Sequence, residues 1–289
     1  MLFAWLKNRR RAQLVAAPFP DDWLAHIRTN VGLYESLSKA EQQKLRDDLR
    51  ILIAETNFEG CGGLTMTDAI RVTIAAQASI LLLGFDHDYF ERVRTILVYP
   101  SGFRSPDGWA APDGVVHMDV GNLGEAWHHG TVILAWDAIV AGGQNPRDSQ
   151  NVVLHEFAHQ LDFLDGVADG TPPLHNRAEY RKWHEVMTAE YAQLVAEAEH
   201  GHPMVLDAYG ATNPAEFFAV STECFFEKSI QMQRRHPRLY ETLKQYYCQD
   251  PAARFSAEEQ PAHTRVDART TMAHGKPFRG SRQGVGVRV

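Results

Sequence analysis

Cysteine is scarce in this chain. Its three residues, Cys61, Cys224 and Cys248, are odd in number, widely spaced and free of any Cys-x-x-Cys pair. That spacing excludes a disulfide framework and suits a reducing compartment. No apolar run reaches the roughly 18 residues that a bilayer-spanning helix needs. An excess of positive charge is missing too: 29 Lys and Arg stand against 36 Asp and Glu, for a formal net charge of -7. A general nucleic-acid binder needs a clustered basic surface, so that class is set aside. The N-terminus does not have the order of a secretory signal, because the short apolar run Leu2-Phe3-Ala4-Trp5-Leu6 precedes the cations Lys7, Arg9, Arg10 and Arg11. The expected location is cytoplasmic. Residues 1–20 are expected to be a docking segment or frayed end, with weak peripheral membrane contact as the alternative.

A composition that is 44% hydrophobic and 22% charged over 289 residues is that of an ordinary globular protein with a sizeable core. The chemistry concentrates in Val152-Val153-Leu154-His155-Glu156-Phe157-Ala158-His159-Gln160-Leu161-Asp162, which contains His-Glu-x-x-His. Positions i and i+4 of a helix share a face, so His155 and His159 can each offer a ring nitrogen to one Zn²⁺. Glu156, turned by roughly 100° from His155, would stand beside the ion and take a proton from its bound water. Helical spacing of Val153, Leu154, Phe157, Ala158, Leu161 and Leu164 marks the helix as buried. Asp148 or Ser149 is the expected N-cap, and Gly166 the C-terminal stop.

Around this helix the patterns are mostly helical. Asp21 or Asp22 opens a short helix through Trp23, Leu24 and Ile27. Ser38-Lys39-Ala40-Glu41 is a capping box ahead of Leu45, Leu49, Leu52 and Ile53. Residues 57–66 are Gly-rich and predict a turn or short hairpin. Thr67 or Asp68 then caps a very apolar helix ending near Gly84, with Thr73 and Gln77 as internally bonded polar groups. Strands are predicted at 93–99, 115–120 and 131–136, with a Gly- and Pro-containing loop over 100–114. His128 and His129 are treated as loop residues, since neighbours on a strand point to opposite faces. An exposed edge of the 131–136 strand could hold an extended peptide. Residues 177–200 form a long helix with a core-facing stripe that includes Tyr180, Trp183, Val186 and Met187, and its His184 is expected to be structural or solvated. The fold class is α+β, predominantly helical with a small mixed sheet whose edge strand borders the active-site cleft.

A catalytic zinc takes three protein ligands and keeps one position for water. Asn213 as N-cap and Pro214 at the first helical position start a downstream helix carrying Glu216 and Glu223, seven apart and on one face. Spacing alone leaves the third ligand open between them, because Asn213-x-x-Glu216 is also a capping-box spacing. A third histidine is not present where the metzincin pattern requires one.

The segments HEFAHQLD, GEAWHHGTVILAWD and NPAEFFAVSTECFF, with the runs Gln77–Gly84 and Ile96–Pro100, resemble the MtfA (Mlc titration factor A) family of zinc peptidases. The likeness spans roughly residues 20–250. That family resembles the catalytic domain of anthrax lethal factor, which implies a zincin-like fold. In that group a tyrosine lies seven residues before the glutamate ligand, a spacing met by Tyr209 and Glu216. The resemblance therefore implies one Zn²⁺ on His155, His159 and Glu216, with Tyr209 donating to the oxyanion. It leaves Glu223 and Asp162 as candidates to orient the ligand imidazoles. It further implies aminopeptidase activity and binding to Mlc, a transcriptional repressor of glucose-uptake genes.

The expected organisation is an N-terminal segment over 1–20, a zincin-like peptidase domain over 21–250 and a disordered basic tail over 251–289. From Pro251 onward seven Arg and Lys stand against three Asp and Glu. Peptide or protein is the expected substrate, with Mlc as a further partner, no direct nucleic acid and no stable membrane insertion. The competing reading is a repressor-sequestering regulator whose zinc is structural.

Overall fold

The computed structural model describes residues 2–86, 90–101, 130–201 and 204–258. Everything the described core does is arranged around one helix. Helix α4 (Asp68–Leu81) starts where the Thr67 side chain accepts from the Ile70 N–H, and every residue from Val72 to Leu81 is buried. Its small residues Ala75, Ala76 and Ala78 let neighbours approach closely on several sides. Onto it pack α2 (Asp21–Asn30), α3 (Lys39–Glu55), α5 (Trp136–Gln144) and α6 (Val152–Asp162). Inside this core the polar groups are paired as expected: Asn30 donates to Thr73 at 3.0 Å and Gln77 to the Ile139 carbonyl at 3.2 Å. Helix α3 opens on the expected capping box between Ser38 and Glu41.

Three described strands form a sheet in the order β1 (Asn57–Gly60), β2 (Thr95–Tyr99), β3 (Thr131–Ala135), all parallel. The Gly-rich stretch after residue 57, expected as a turn or hairpin, instead begins with β1. A hairpin would make antiparallel neighbours, whereas the α4 crossover carries the chain back to lay β2 parallel to it. The turn signal itself was real but shorter. A Cβ on Gly60 would lie 2.0 Å from the Leu64 carbonyl oxygen, so glycine is needed where the strand folds over. Strand β2 falls within the stretch expected as a strand at 93–99, and its alternate residues Ile96 and Val98 are buried. Strand β3 runs directly into α5, a helix that the continuous apolar run concealed. The sheet was expected to be mixed, and the described strands pair only in parallel; the stretch expected as a strand at 115–120 lies outside the described residues, as do the 102–114 part of the expected loop, His128 and His129.

The C-terminal half is helical. Helix α7 (Arg177–His200) is capped by Asn176 and ends at a left-handed Gly201, φ 65°. Tyr180, expected in its core-facing stripe, is 38% exposed, and the buried stripe begins at Trp183. Helices α8 (Pro214–Glu227), α9 (Ser229–Arg235), α10 (Pro237–Tyr247) and α11 (Pro251–Glu258) follow. Phe225, Phe226, Tyr240 and Tyr247 interlock where α8 meets α10. Helix α11 occupies the start of the stretch expected as tail. There Ala252 is buried and Arg254 donates to Glu41 and Gln249. At the other end, residues 2–16 form α1 (Leu2–Ala16). No described helix is long and apolar enough to cross a membrane.

Candidate metal centre

Every residue of α6 is buried. Its N-cap is Asn151, whose Oδ1 accepts from the Leu154 N–H at 3.1 Å, and not the expected Asp148 or Ser149. Asp148 accepts from Gln150 N–H instead, and Ser149 sits at φ 63°, so the chain is still turning there. Helix α8 starts as expected, with Asn213 accepting from the Glu216 N–H at 3.0 Å and Pro214 in the first turn. The Glu216 carboxylate turns away from the cap and toward α6.

There it meets both histidines. Glu216 Oε2 lies 3.0 Å from His155 Nε2 and 3.4 Å from His159 Nε2, and the two Nε2 atoms are 3.2 Å apart. All three side chains are buried. An ion bonded at 2.0–2.1 Å to tetrahedral ligands separates them by roughly 3.3 Å, a spacing these donors match. Two imidazole lone pairs and a carboxylate converging in a dry site are stable together only around a cation or a shared proton. The donor set therefore fits a divalent metal.

The charges agree with this crowding. Burial drives the Glu216 carboxyl upward, but hydrogen bonds from His155 and His159 outweigh it and hold the group far below the usual carboxylate range. For His155 burial acts downward, and the hydrogen bonds to Glu216 and Glu223 overcome it and raise the imidazole well above its ordinary value. Glu156, buried on the same helix, is pushed up by desolvation against the pull of the two histidines.

Glu223, the other candidate ligand, reaches a different edge of the same ring. Its Oε1 is 2.8 Å from His155 Nδ1, and its Oε2 accepts from the Asn151 N–H. A carboxylate at Nδ1 favours a proton there, which would free Nε2 to serve as an electron-pair donor when an ion takes the place of the proton shared with Glu216. One turn further along α8, Glu227 accepts from Asn151 Nδ2 and Ser149 N–H, each at 3.0 Å. Two carboxylates of α8 thus grip the start of α6. The grip by Asn151 and Glu227 was not foreseen; its signal was the i, i+4 repeat of acidic residues in an otherwise apolar helix. Asp162, expected beside the imidazoles, accepts instead from the Gly170 N–H at 2.8 Å, and burial raises its carboxyl to about 7.

Tyr209 lies in a 3₁₀ turn over Ala208–Ala211, fixed by Asp207 accepting from its N–H at 2.8 Å. Its ring centroid is 6.1 Å from that of His155, which puts the tyrosine that the resemblance singled out beside the three donors. His184 is solvent-exposed on α7, away from the three donors.

A buried His-Glu-x-x-His helix, a glutamate returned from a second helix and an α+β frame define a zincin-like architecture. The profile described as glucose-regulated metallo-peptidase M90 matches residues 5–248, and the chain belongs to that family. An uncharacterized protein of Synechocystis, slr2042, is 41% identical over 253 residues, covering 86% of this chain and 90% of its own length. Proteins named Mlc titration factor A from Yersinia pestis and Yersinia pseudotuberculosis are each 29% identical over 278 residues, 93% of this chain and 98% of theirs.

Proposed function

We propose that this chain is a zinc-dependent peptidase that binds one Zn²⁺ through His155, His159 and Glu216. The observation that carries the reading is the set of three buried donors spaced 3.0–3.4 Å apart on two helices. When bound, zinc supplies a Lewis acid for the scissile carbonyl and a bound water with a pKa near ~7. The chain's own groups do the rest. Glu156 takes the proton of the attacking water and delivers it to the departing amine, a task suited to a carboxyl that burial has raised above its ordinary value. Tyr209 donates its phenolic hydrogen to the oxyanion of the tetrahedral intermediate. Strand β3, at the edge of the described sheet and packed on α6, offers main-chain groups for an extended substrate.

Within that class we place the chain among aminopeptidases, acting on peptide or protein substrates in the cytoplasm. The name carried by the Yersinia relatives supports a second role, capture of the repressor Mlc. The test is Glu156→Gln against wild type on aminoacyl chromogenic amides, with zinc content measured in both. Cleavage should fall about 10²–10⁴-fold while zinc content stays equal. Undiminished cleavage would remove Glu156 as the base. Equal zinc in wild type and Glu216→Ala would remove Glu216 as a ligand.

A further inference from the structure

Helix α1 docks on the body through Lys7 and Arg11 and turns Trp5, Leu6, Arg9 and Arg10 outward. On the inner side Arg11 sends Nε and Nη2 to the two carboxylate oxygens of Glu55 at 2.8 and 2.7 Å, and Lys7 pairs with Glu91. Arg50 of α3 donates to the carbonyls of Leu14 and Val15 at 2.8–3.1 Å, closing the helix's C-terminal end. Between α1 and the body lies a cavity of about 210 Å³ whose walls include Lys7, Asp48, Glu55, Glu91 and Arg94. Ions, with little apolar burial, hold this helix in place.

Its outer face carries apolar and basic side chains together. Trp5 is 55% exposed and Leu6 47%, and they are the only adjacent pair among the exposed large hydrophobic side chains described. Helical spacing sets Arg9 and Arg10 one turn beyond them, and both are exposed. The Arg9 guanidinium stands 5.4 Å from the Trp5 ring centroid. Residues 2–16 contain four cations and no Asp or Glu, on a chain whose formal net charge is -7.

We propose that this face of α1 docks on a bilayer surface carrying anionic headgroups. Trp5 and Leu6 enter the interface while Arg9 and Arg10 meet the phosphates. A convex helix end with two apolar side chains offers no groove for a folded partner, but a fluid surface closes around it. Two exposed arginines on an acidic body are too few for a polynucleotide, which needs a broad basic footprint. Between residues 17 and 250 the chain is acidic and is held off the same surface, so the contact made by α1 is weak, reversible and salt-sensitive.

The full-length chain is sedimented with vesicles of phosphatidylcholine alone or with about one third phosphatidylglycerol. It should partition onto the anionic vesicles at low salt, and not onto neutral ones. Arg9→Gln with Arg10→Gln should weaken partitioning about thirty-fold, at about 1 kcal/mol per cation. Trp5→Ala with Leu6→Ala should weaken it about tenfold or more. Far-UV circular dichroism and zinc content should not change in either variant, because these side chains face outward. Equal binding to neutral vesicles, or no loss in both variants, would overturn the proposal. So would tighter binding to an RNA oligomer than to vesicles, or a lipid-free dimer that Trp5→Ala with Leu6→Ala dissociates.

Discussion

Glu216 and Glu223 stand seven residues apart on α8, yet they touch opposite edges of one imidazole. Glu216 faces Nε2, where His159 also converges, and Glu223 faces Nδ1. On the proposed metal site the two carboxylates would act differently, Glu216 as a ligand and Glu223 by fixing the His155 tautomer. Glu223→Gln should weaken zinc binding by about 10–100-fold in competition with a chromophoric chelator, while leaving a folded protein. An affinity equal to wild type would show that His155 needs no orienting partner. Tyr209→Phe should lower kcat by about 10²–10³ with KM and zinc content little changed; a change confined to KM would place the phenol in substrate binding instead. At this scale the two histidines were legible because i, i+4 geometry is a property of the helix alone. The choice between Glu216 and Glu223 was not, because both lie on one stripe, and only the depth at which α8 docks on α6 decides which ring edge each meets. The N-cap was misassigned for a related reason. Asp148, Ser149 and Asn151 are all good caps, and what selects Asn151 is the pair of α8 carboxylates holding its backbone and side chain.

The helices carrying the donors are also tied together by the segment that follows α6. Gly170 gives its N–H to Asp162, accepts from Trp183 Nε1 at 3.0 Å and sits at φ 80°. A Cβ added there would lie 2.3 Å from the carbonyl oxygen of Pro214, two residues before Glu216. Gly170→Ala should thus combine left-handed strain with displacement of the α8 N-terminus, costing about 1–3 kcal/mol in denaturant titration and weakening zinc binding as well. Stability lost with zinc affinity intact would mean that the clash relaxes away from α8. Elements with strong ends were readable from the chain: Ser38 with Glu41, Thr67, and Asn213 with Pro214 each bond as their residue types demand. Elements defined by their partners were not. Strand β1 exists because β2 lies beside it, and α5 begins inside an apolar run that gives no sign of changing period at Trp136.

Across the whole molecule the core holds several carboxyls whose charge burial opposes, and the protein's pH response follows from them. Desolvation raises the carboxyls of Glu223, Glu227 and Asp162, the last to about 7 against an ordinary 3.8. Between roughly pH 4 and pH 7 the folded state therefore holds a proton at Asp162 that the unfolded chain has released. The penalty for ionising it is absent at the acid end and complete above pH 7. In chelator-treated protein, the stability of Asp162→Asn relative to wild type should rise as pH climbs through that window, by about 1.4 kcal/mol per unit at most, in urea titrations at several pH values. A pH-independent difference would show that Asp162 is already ionised at pH 4. The overall class was legible because helical periods dominate the chain, and the parallel pairing of the sheet was hidden because it joins segments far apart in sequence. That separation also bears on biosynthesis. Glu216 follows His155 by 61 residues, so a nascent chain has only two of the three donors until residue 216 has been made and α8 has closed on α6. On the proposed site, a product truncated before residue 216 would lack the carboxylate donor and compete poorly for metal, so metal capture would wait on the completion of α8.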